Sequence, residues 1–296
     1  MQIQQHNGPV KSSGAAGAAG QFSIAMNGKA FRVLSDTMYQ DKIGSIMREI
    51  SCNCLDSHVM AGIPEKPFTL HLPDAFEPWV SFRDYGIGLS PDAVQNVFCV
   101  YFQSTKDQSN DAVGAFGLGA KTPFSYMDQF NVTSIYDGRK YMYSAFINGD
   151  GIPEIQLMAE TATDEHNGVE IKIGVEPKDF NAFIKAAYTQ LRFFPVKPEV
   201  TNYQNGKEFE FENEGDALFQ TDTIKIFKSK GYGRASMHII QGPVGYPLDV
   251  TQVLNHLPAE DAQFLRTINE IGANLYFNIG EIGVTASREG VEYKGI

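Results

Sequence analysis

Apolar residues recur with a helical period across residues 41–58, where Ile43, Ile46, Met47, Ile50 and Cys54 form one stripe. That spacing predicts an amphipathic helix with one buried face. The apolar stretch 79–82 predicts a strand that ends in the turn Arg83-Asp84-Tyr85-Gly86-Ile87-Gly88, because an aspartate and two glycines in so short a span favour a tight reversal. Ser90 before Pro91 marks the start of another helix, serine being a good N-cap. Residues 101–111 (YFQSTKDQSND) are polar and loop-like. They are followed by VGAFGLGAK at 113–121, in which Gly114, Gly117 and Gly119 open a predicted helix that carries Lys121 and has Pro123 in its first turn.

From about Pro177 the pattern changes. Residues 179–194 predict a helix, residues 208–216 form an acidic connection, 225–250 are strand-like, and 278–293 predict a closing strand. The first twenty residues are rich in Gly, Ala and Ser and predict a flexible arm, followed by the strand-like QFSIAM from Gln21.

A length of 296 residues suits about two domains, and 43% hydrophobic with 20% charged residues is ordinary for a globular chain. No apolar run approaches the ~18 residues of a membrane span and no signal-peptide core is visible, which predicts a soluble chain. A net charge of −11 argues against broad nucleic-acid binding. The basic cluster Lys225, Lys228, Lys230 and Arg234 reads as a solvated edge strand. Cys52, Cys54 and Cys99 offer no disulfide framework and predict free thiols, and the histidines show no metal-ligand spacing.

Two stretches carry candidate chemistry. Glycines let backbone N–H groups approach a phosphate closely, and a helix that follows adds unpaired N–H groups and the positive end of its dipole. The loop 113–121, with Phe116 and Leu118 between its glycines, is therefore a candidate phosphate cradle, although glycine-rich turns are common. It is not a Rossmann fingerprint, which needs a strand leading directly into the glycines. On the predicted helix, Glu49, Asn53 and Asp56 fall at i, i+4 and i+7 and share one face. Glu49 is placed to orient and deprotonate a water, and the Asn53 side-chain oxygen to ligate magnesium. The same spacing also describes a solvated polar face, and Asp84 with its glycines also describes an ordinary turn.

The order of these pieces resembles the GHKL ATPases, the superfamily of gyrase, heat-shock protein 90, histidine kinases and mismatch-repair ATPases. The resemblance implies that Glu49 is the catalytic base, Asn53 the magnesium ligand with Asp56 beside it, and Asp84 the acceptor for the adenine amino group. Gly86 and Gly88 would make room for the base. Ser104, Thr105 and Lys106 would begin the lid, Gly114, Phe116, Gly117, Leu118 and Gly119 would wrap the phosphates, and Lys121 would contact them. Gly168 matches the first residue of a Gly-Thr pair whose hydroxyl helps bind adenine, but Val169 stands where the threonine is expected and offers no side-chain hydrogen bond. Phe31 to His58 and Gly114 to Phe130 are further similar to the rapid-lysis IIA proteins of T-even-like phages.

The resemblance implies an α/β architecture of the α+β two-layer kind: an arm (1–20), a Bergerat ATP-binding domain (21–175) and a ribosomal-S5-like transducer domain (176–296). In the latter, Ser287, Arg288 and Glu289 resemble the segment whose arginine reaches the γ-phosphate in heat-shock protein 90. An ordinary surface Arg-Glu neighbourhood is the alternative. The implied cofactors are ATP and Mg, and the implied partners are a second copy of the chain, a phage protein and a membrane surface reached from the host-cell cytoplasm. A non-hydrolysing interaction module is the competing expectation.

Overall fold

The computed structural model describes residues 27–99, 119–204, 206–212, 215–227 and 237–293. The chain is a mixed α/β protein built on two mixed sheets.

Helix α1 (Gly28–Asp36) starts at Asn27, whose side chain accepts from the N–H groups of Lys29 and Ala30. Helix α2 (Lys42–Met60) is capped by Asp41, whose carboxylate accepts from Gly44 N–H at 2.9 Å. The predicted stripe is indeed internal: Ile46, Met47, Ile50 and Cys54 are buried and Ile43 packs against them. Strands β1 (Thr69–His71) and β2 (Trp79–Arg83) follow, then the single turn α3 (Pro91–Ala93), capped by Ser90 and continuing as a π-turn over Val94–Phe98. Past the glycines lies a 3-10 helix, Gly119–Ser125. It leads into β3 (Gln129–Tyr136), β4 (Arg139–Ile147), β5 (Pro153–Ala162) and β6 (Gly168–Gly174). Helix α4 (Phe180–Gln190) and β7 (Glu199–Thr201) complete the first sheet's set.

The first sheet runs β5-β4-β3-β6-β2-β1-β7, with only the β1/β7 pair parallel. Side chains alternate faces along a strand, so register alone defines the buried layer. Leu70, Phe82, Ile171, Val132 and Tyr143 stand side by side across five strands, and all are in the core. Helices α2 and α4 pack on each other over this layer, α4 contributing Phe183, Ala186 and Ala187. Burying residues of that size contributes roughly 1.5–3 kcal/mol each, so the face that holds Glu49 and Asn53 rests on a stiff base.

The second sheet runs β11-β10-β12-β9-β8, comprising β8 (Ala217–Gln220), β9 (Ile224–Phe227), β10 (Met237–Gln241), β11 (Val244–Pro247) and β12 (Ala273–Phe277). β10 and β12 are parallel, a pairing that needs a crossover. β11, α5 (Val250–Leu254) and α6 (Ala259–Ile271) supply it. Ile239, Val244, Tyr246, Val284 and Val291 belong to the same buried cluster as the first sheet.

Three expectations are corrected. The closing strand is β12, not 278–293, which is a turn-rich loop closed by one bridge between Val284 and Val291; Gly280, Gly283 and Gly290 interrupt any longer ladder. Lys225 lies on β9 between β12 and β8, an interior strand rather than an edge, while Lys228, Lys230 and Arg234 lie outside the described residues. The helix after the glycines is a short 3-10 turn, where Pro123 has no N–H to give and the hydroxyls of Thr122 and Ser125 donate to the carbonyls of Gly119 and Thr122. The arm and the QFSIAM segment also lie outside the described residues. No described helix is long and apolar enough to cross a membrane. All three cysteines are free, Cys52 and Cys54 buried and Cys99 half-buried.

Candidate functional site

Asp84 ends β2 at the point where the chain turns back over the C-terminal part of α2. Its N–H donates to the Val169 carbonyl (2.9 Å), so β2 and β6 stay paired one step beyond the ladder. The side chain is 5% exposed. Its Oδ1 accepts from the Ser57 hydroxyl and from Gly86 N–H, both at 2.9 Å. Burial pushes the Asp84 carboxyl up, and the Gly86 and Ser57 hydrogen bonds act against that rise.

The glycines around Asp84 are required by shape. A Cβ on Gly86 would meet the hydroxyl and carbonyl of Ser57, and one on Gly88 would collide with the Ile135 carbonyl. Gly88 also has φ +74°, a region that side chains make unfavourable. Gly168, in the left-handed half at φ +138°, lies against the Asp84 carbonyl.

Two further clamps hold this turn, neither of them visible as a motif. His58, fully buried, accepts Tyr85 N–H on Nε2 (2.8 Å) and lies 2.7 Å from the Lys66 carbonyl through Nδ1. Since Nε2 must be unprotonated to accept, Nδ1 carries the proton and the ring is neutral. Burial lowers the His58 pKa, and the Lys66 hydrogen bond only partly offsets it. Ser134, on the buried face of β3, accepts Leu89 N–H and donates to the Leu89 carbonyl, each at 2.8 Å. The backbone from Asp84 to Leu89 is thereby pinned from below by β3 and from above by α2.

Glu49 lies two turns earlier on α2 and is 6% exposed. Its Oε1 accepts from Arg48 Nε and its Oε2 from Arg288 Nη1, both at 3.1 Å. Arg48 also donates from Nη2 to the Ser45 hydroxyl (3.1 Å) and the Ser287 carbonyl (3.0 Å). Burial works against the charge on Arg288, yet the facing Glu49 carboxylate and Tyr246 hold its pKa above the ordinary arginine value. Burial also raises the Tyr246 phenol. Arg288 sits at φ +56°, an unusual conformation for a residue with a side chain. Its neighbour Glu289 anchors it there: Oε1 accepts Asp41 N–H (2.7 Å) and the Ser45 hydroxyl (3.2 Å), and Oε2 accepts Gln40 N–H (3.1 Å). The loop 278–293 is thus bolted onto the first turn of α2.

Asn53, half-buried, and Asp56, buried, follow Glu49 along α2. A Cβ on Gly119 would come within 3.1 Å of Glu49 Oε2 and 3.4 Å of Asn53 Nδ2, so the end of the glycine loop lies against these two side chains. Lys121 is buried beside Phe98, its Nζ 5.9 Å from the ring centroid, and burial lowers its pKa to about 8. Among the described residues no group of three or more His, Cys, Asp or Glu side chains is suited to hold a metal. A magnesium held mainly by phosphates and water needs only one or two protein ligands, and Asn53, whose Nδ2 faces Gly119, carries one candidate oxygen on the same amide.

The structure therefore brings together Glu49, Asn53, Gly119 and Arg288 at the middle of α2, and Asp84, Gly86, Gly88 and Gly168 by its C-terminal end. Ser104, Thr105, Lys106, Gly114, Phe116, Gly117 and Leu118 lie outside the described residues. Arg48, Ser57, His58 and Ser134 join the site without having been anticipated, and Glu289, singled out with Arg288, joins it through partners that were not. For Arg48 a signal existed, since a basic residue adjoining a buried glutamate can pair with it.

No known family's sequence profile matches the chain. Over 118 residues, 39% of its length, it is 31% identical to the B subunit of the type 2 DNA topoisomerase 6 of Pyrobaculum aerophilum, a GHKL-superfamily protein. The match spans about a fifth of that protein, 21% of its length.

Proposed function

We propose that the chain binds ATP with magnesium in the manner of the GHKL proteins and hydrolyses it slowly, using the nucleotide to change conformation. The observation that carries this reading is the convergence on one helix of a buried glutamate, an asparagine against the end of a glycine loop, and a buried aspartate backed by glycines. The similarity to a GHKL-superfamily protein supports it.

In this reading Asp84 accepts the adenine amino group, and Gly86 and Gly88 leave room for the ring. The phosphates lie between Gly119 and the α2 face, where a magnesium on Asn53 would neutralise charge between phosphate oxygens. Glu49 orients and deprotonates the attacking water. Each of its oxygens accepts one guanidinium hydrogen bond, so loss of one such partner would leave a stronger base for the water. The γ-phosphate is a natural competitor for Arg288, since phosphate and carboxylate suit the same planar donor. Arrival of the triphosphate would draw Arg288 from Glu49, free the base and pull the loop 278–293 toward the nucleotide. Two copies would associate in the triphosphate state, with residues 21–175 acting as the ATP-binding unit and 176–296 as the transducer. A place among the rapid-lysis IIA proteins, with a phage partner and a membrane surface in the host-cell cytoplasm, is the finer form of this proposal and rests on the resemblance in residues 31–58 and 114–130.

A second reading, a nucleotide-binding module that does not hydrolyse, is favoured by the doubly paired Glu49 and by Val169 in place of a hydroxyl residue. Turnover of MgATP by the native chain and by Glu49→Gln, with the mass of each in solution beside a non-hydrolysable analogue, separates the two. Turnover lost in Glu49→Gln with nucleotide-dependent dimers in both supports the ATPase. Dimers without turnover in either support the module, and absence of nucleotide binding refutes both.

A further inference from the structure

Val169 offers no side-chain hydroxyl to the wall beside Asp84, yet Asp84 is not without one. Ser57 donates its hydroxyl to Oδ1 from the opposite side, from α2 instead of from β6. We infer that Ser57 is a specificity-determining positioning residue: it fixes Asp84 so that the pocket selects a purine with a 6-amino group over one with a 6-oxo group. The inference rests on the reading of Asp84 as the base-recognition residue.

Both described hydrogen bonds to the Asp84 side chain, from Ser57 and from Gly86, fall on Oδ1. Saturating that oxygen fixes the rotation of the carboxylate and leaves Oδ2 as the acceptor offered to a ligand. A 6-amino group donates to such an oxygen, whereas a 6-oxo group is an acceptor and meets it with repulsion. The Ser57 donor also stabilises the ionised form of a carboxyl that burial pushes toward protonation; a protonated Asp84 could donate to a 6-oxo group and would blur the choice. Ser57 has little freedom to do otherwise. It is held in α2, its carbonyl accepts Ala61 N–H (3.0 Å), and Gly86 packs directly on its hydroxyl and carbonyl.

Val169 supplies the complementary test. The ladder pairs Phe82 with Ile171 and Arg83 with Glu170, so the next step places Val169 beside Asp84, on the same face. A hydroxyl introduced there can replace the one on Ser57.

The experiment is direct binding of ATP and of inosine triphosphate, each with magnesium, to the full chain and to Ser57→Ala, Asp84→Asn and the double variant Ser57→Ala/Val169→Thr. The native chain should prefer ATP by roughly 10- to 100-fold, the discrimination one well-made base contact provides. Ser57→Ala should reduce that ratio about tenfold, the worth of one hydrogen bond to a charged group, while affinity for inosine triphosphate holds or rises. The double variant should recover the preference. A residue with a merely structural role would weaken both nucleotides equally and leave the ratio unchanged, and that result overturns the inference. If Asp84→Asn loses the preference while Ser57→Ala keeps it, the inference falls alone. If Asp84→Asn keeps the preference, or the native chain binds neither nucleotide, the reading of Asp84 falls with it.

Discussion

The two ends of the site, one at the middle of α2 and one at its C-terminus, are built by opposite means. At the Asp84 end the site is a matter of shape and backbone: Gly86, Gly88 and Gly168 open space, and His58, Ser134 and Val169 pin main-chain groups within a compact β2–β6–α2 corner. At the Glu49 end it is a matter of charge, and the partner comes from 239 positions away in the chain. Under the proposed reading the first end would receive a flat neutral ring, while the second holds opposite charges paired, Glu49 with Arg48 and Arg288. Were the proposed nucleotide bound there, binding and switching would fall on separate parts of the site, since the base end need not move when the charged part does.

The largest expected effect falls at the charged end. Breaking a buried ion pair from one side costs about 3–5 kcal/mol, because the remaining charge is left uncompensated. The Arg288–Glu49 pair qualifies, with side chains 8% and 7% exposed. Glu49→Ala should therefore lower unfolding free energy by about that amount in a urea titration, and adding Arg288→Met should recover much of it. Arg288→Met alone should cost less, since Arg48 still pairs with Glu49. An additive double mutant would show that the two charges do not sense each other, and the contrast between the two ends would collapse.

At the shape-built end the corresponding disruption is steric. Gly88→Ala forces a side chain into φ +74° and against the Ile135 carbonyl. Strain of this kind costs of order 1–3 kcal/mol, and here it should also close the space beside Asp84. Nucleotide affinity should fall at least as much as stability, read by titration calorimetry and urea unfolding of the same sample. A loss of stability with unchanged affinity would mean that Gly88 serves only the fold.

How much of this could be read in advance follows the same division. The stripe Ile46, Met47, Ile50 and Cys54 marked the α2 helix, and Asp84 with its glycines marked the turn, because period and backbone conformation are local properties. The faces of Glu49 and Asn53 followed from helical spacing. The partners of Glu49 did not. Ser287, Arg288 and Glu289 stood out as a segment, but nothing local says that Glu289 caps Gln40 and Asp41 or that Arg288 meets Glu49 instead of a surface neighbour. Ser134 was equally hidden, since a serine on the inner face of a strand looks like a defect until Leu89 is seen above it. Helix α6 was not anticipated although its sequence carries a stripe: Ala262, Leu265, Ile268 and Ile271 recur at helical spacing, and the last three pack in the second sheet's own cluster.

The smallest predicted effect is a pH dependence confined to the shape-built end. The folded protein holds His58 neutral, with Nε2 accepting Tyr85 N–H, and its pKa lies below the ordinary 6.5 because of burial. Folding therefore resists a proton that the unfolded chain takes up. Stability from this group is present in full above the unfolded pKa and declines as pH falls through it toward the lower folded value. Native chain unfolded in urea at pH 7.5 and at pH 5.5 should show the lower midpoint in acid. His58→Gln keeps an amide able to accept Tyr85 N–H and removes the titration, so the difference between the two pH values should shrink. Asp84 acts in the opposite sense: its raised pKa means that folding favours the protonated carboxyl, and stability from it is lost as pH rises through the folded value. The two senses oppose each other: the histidine costs stability as pH falls below 6.5, and the aspartate as pH rises through a folded value above the ordinary carboxyl value of about 4. An unchanged acid loss in His58→Gln would assign it elsewhere and remove His58 from the clamp on Tyr85; a flattened profile would fix the neutral tautomer as a condition of the Asp84 turn.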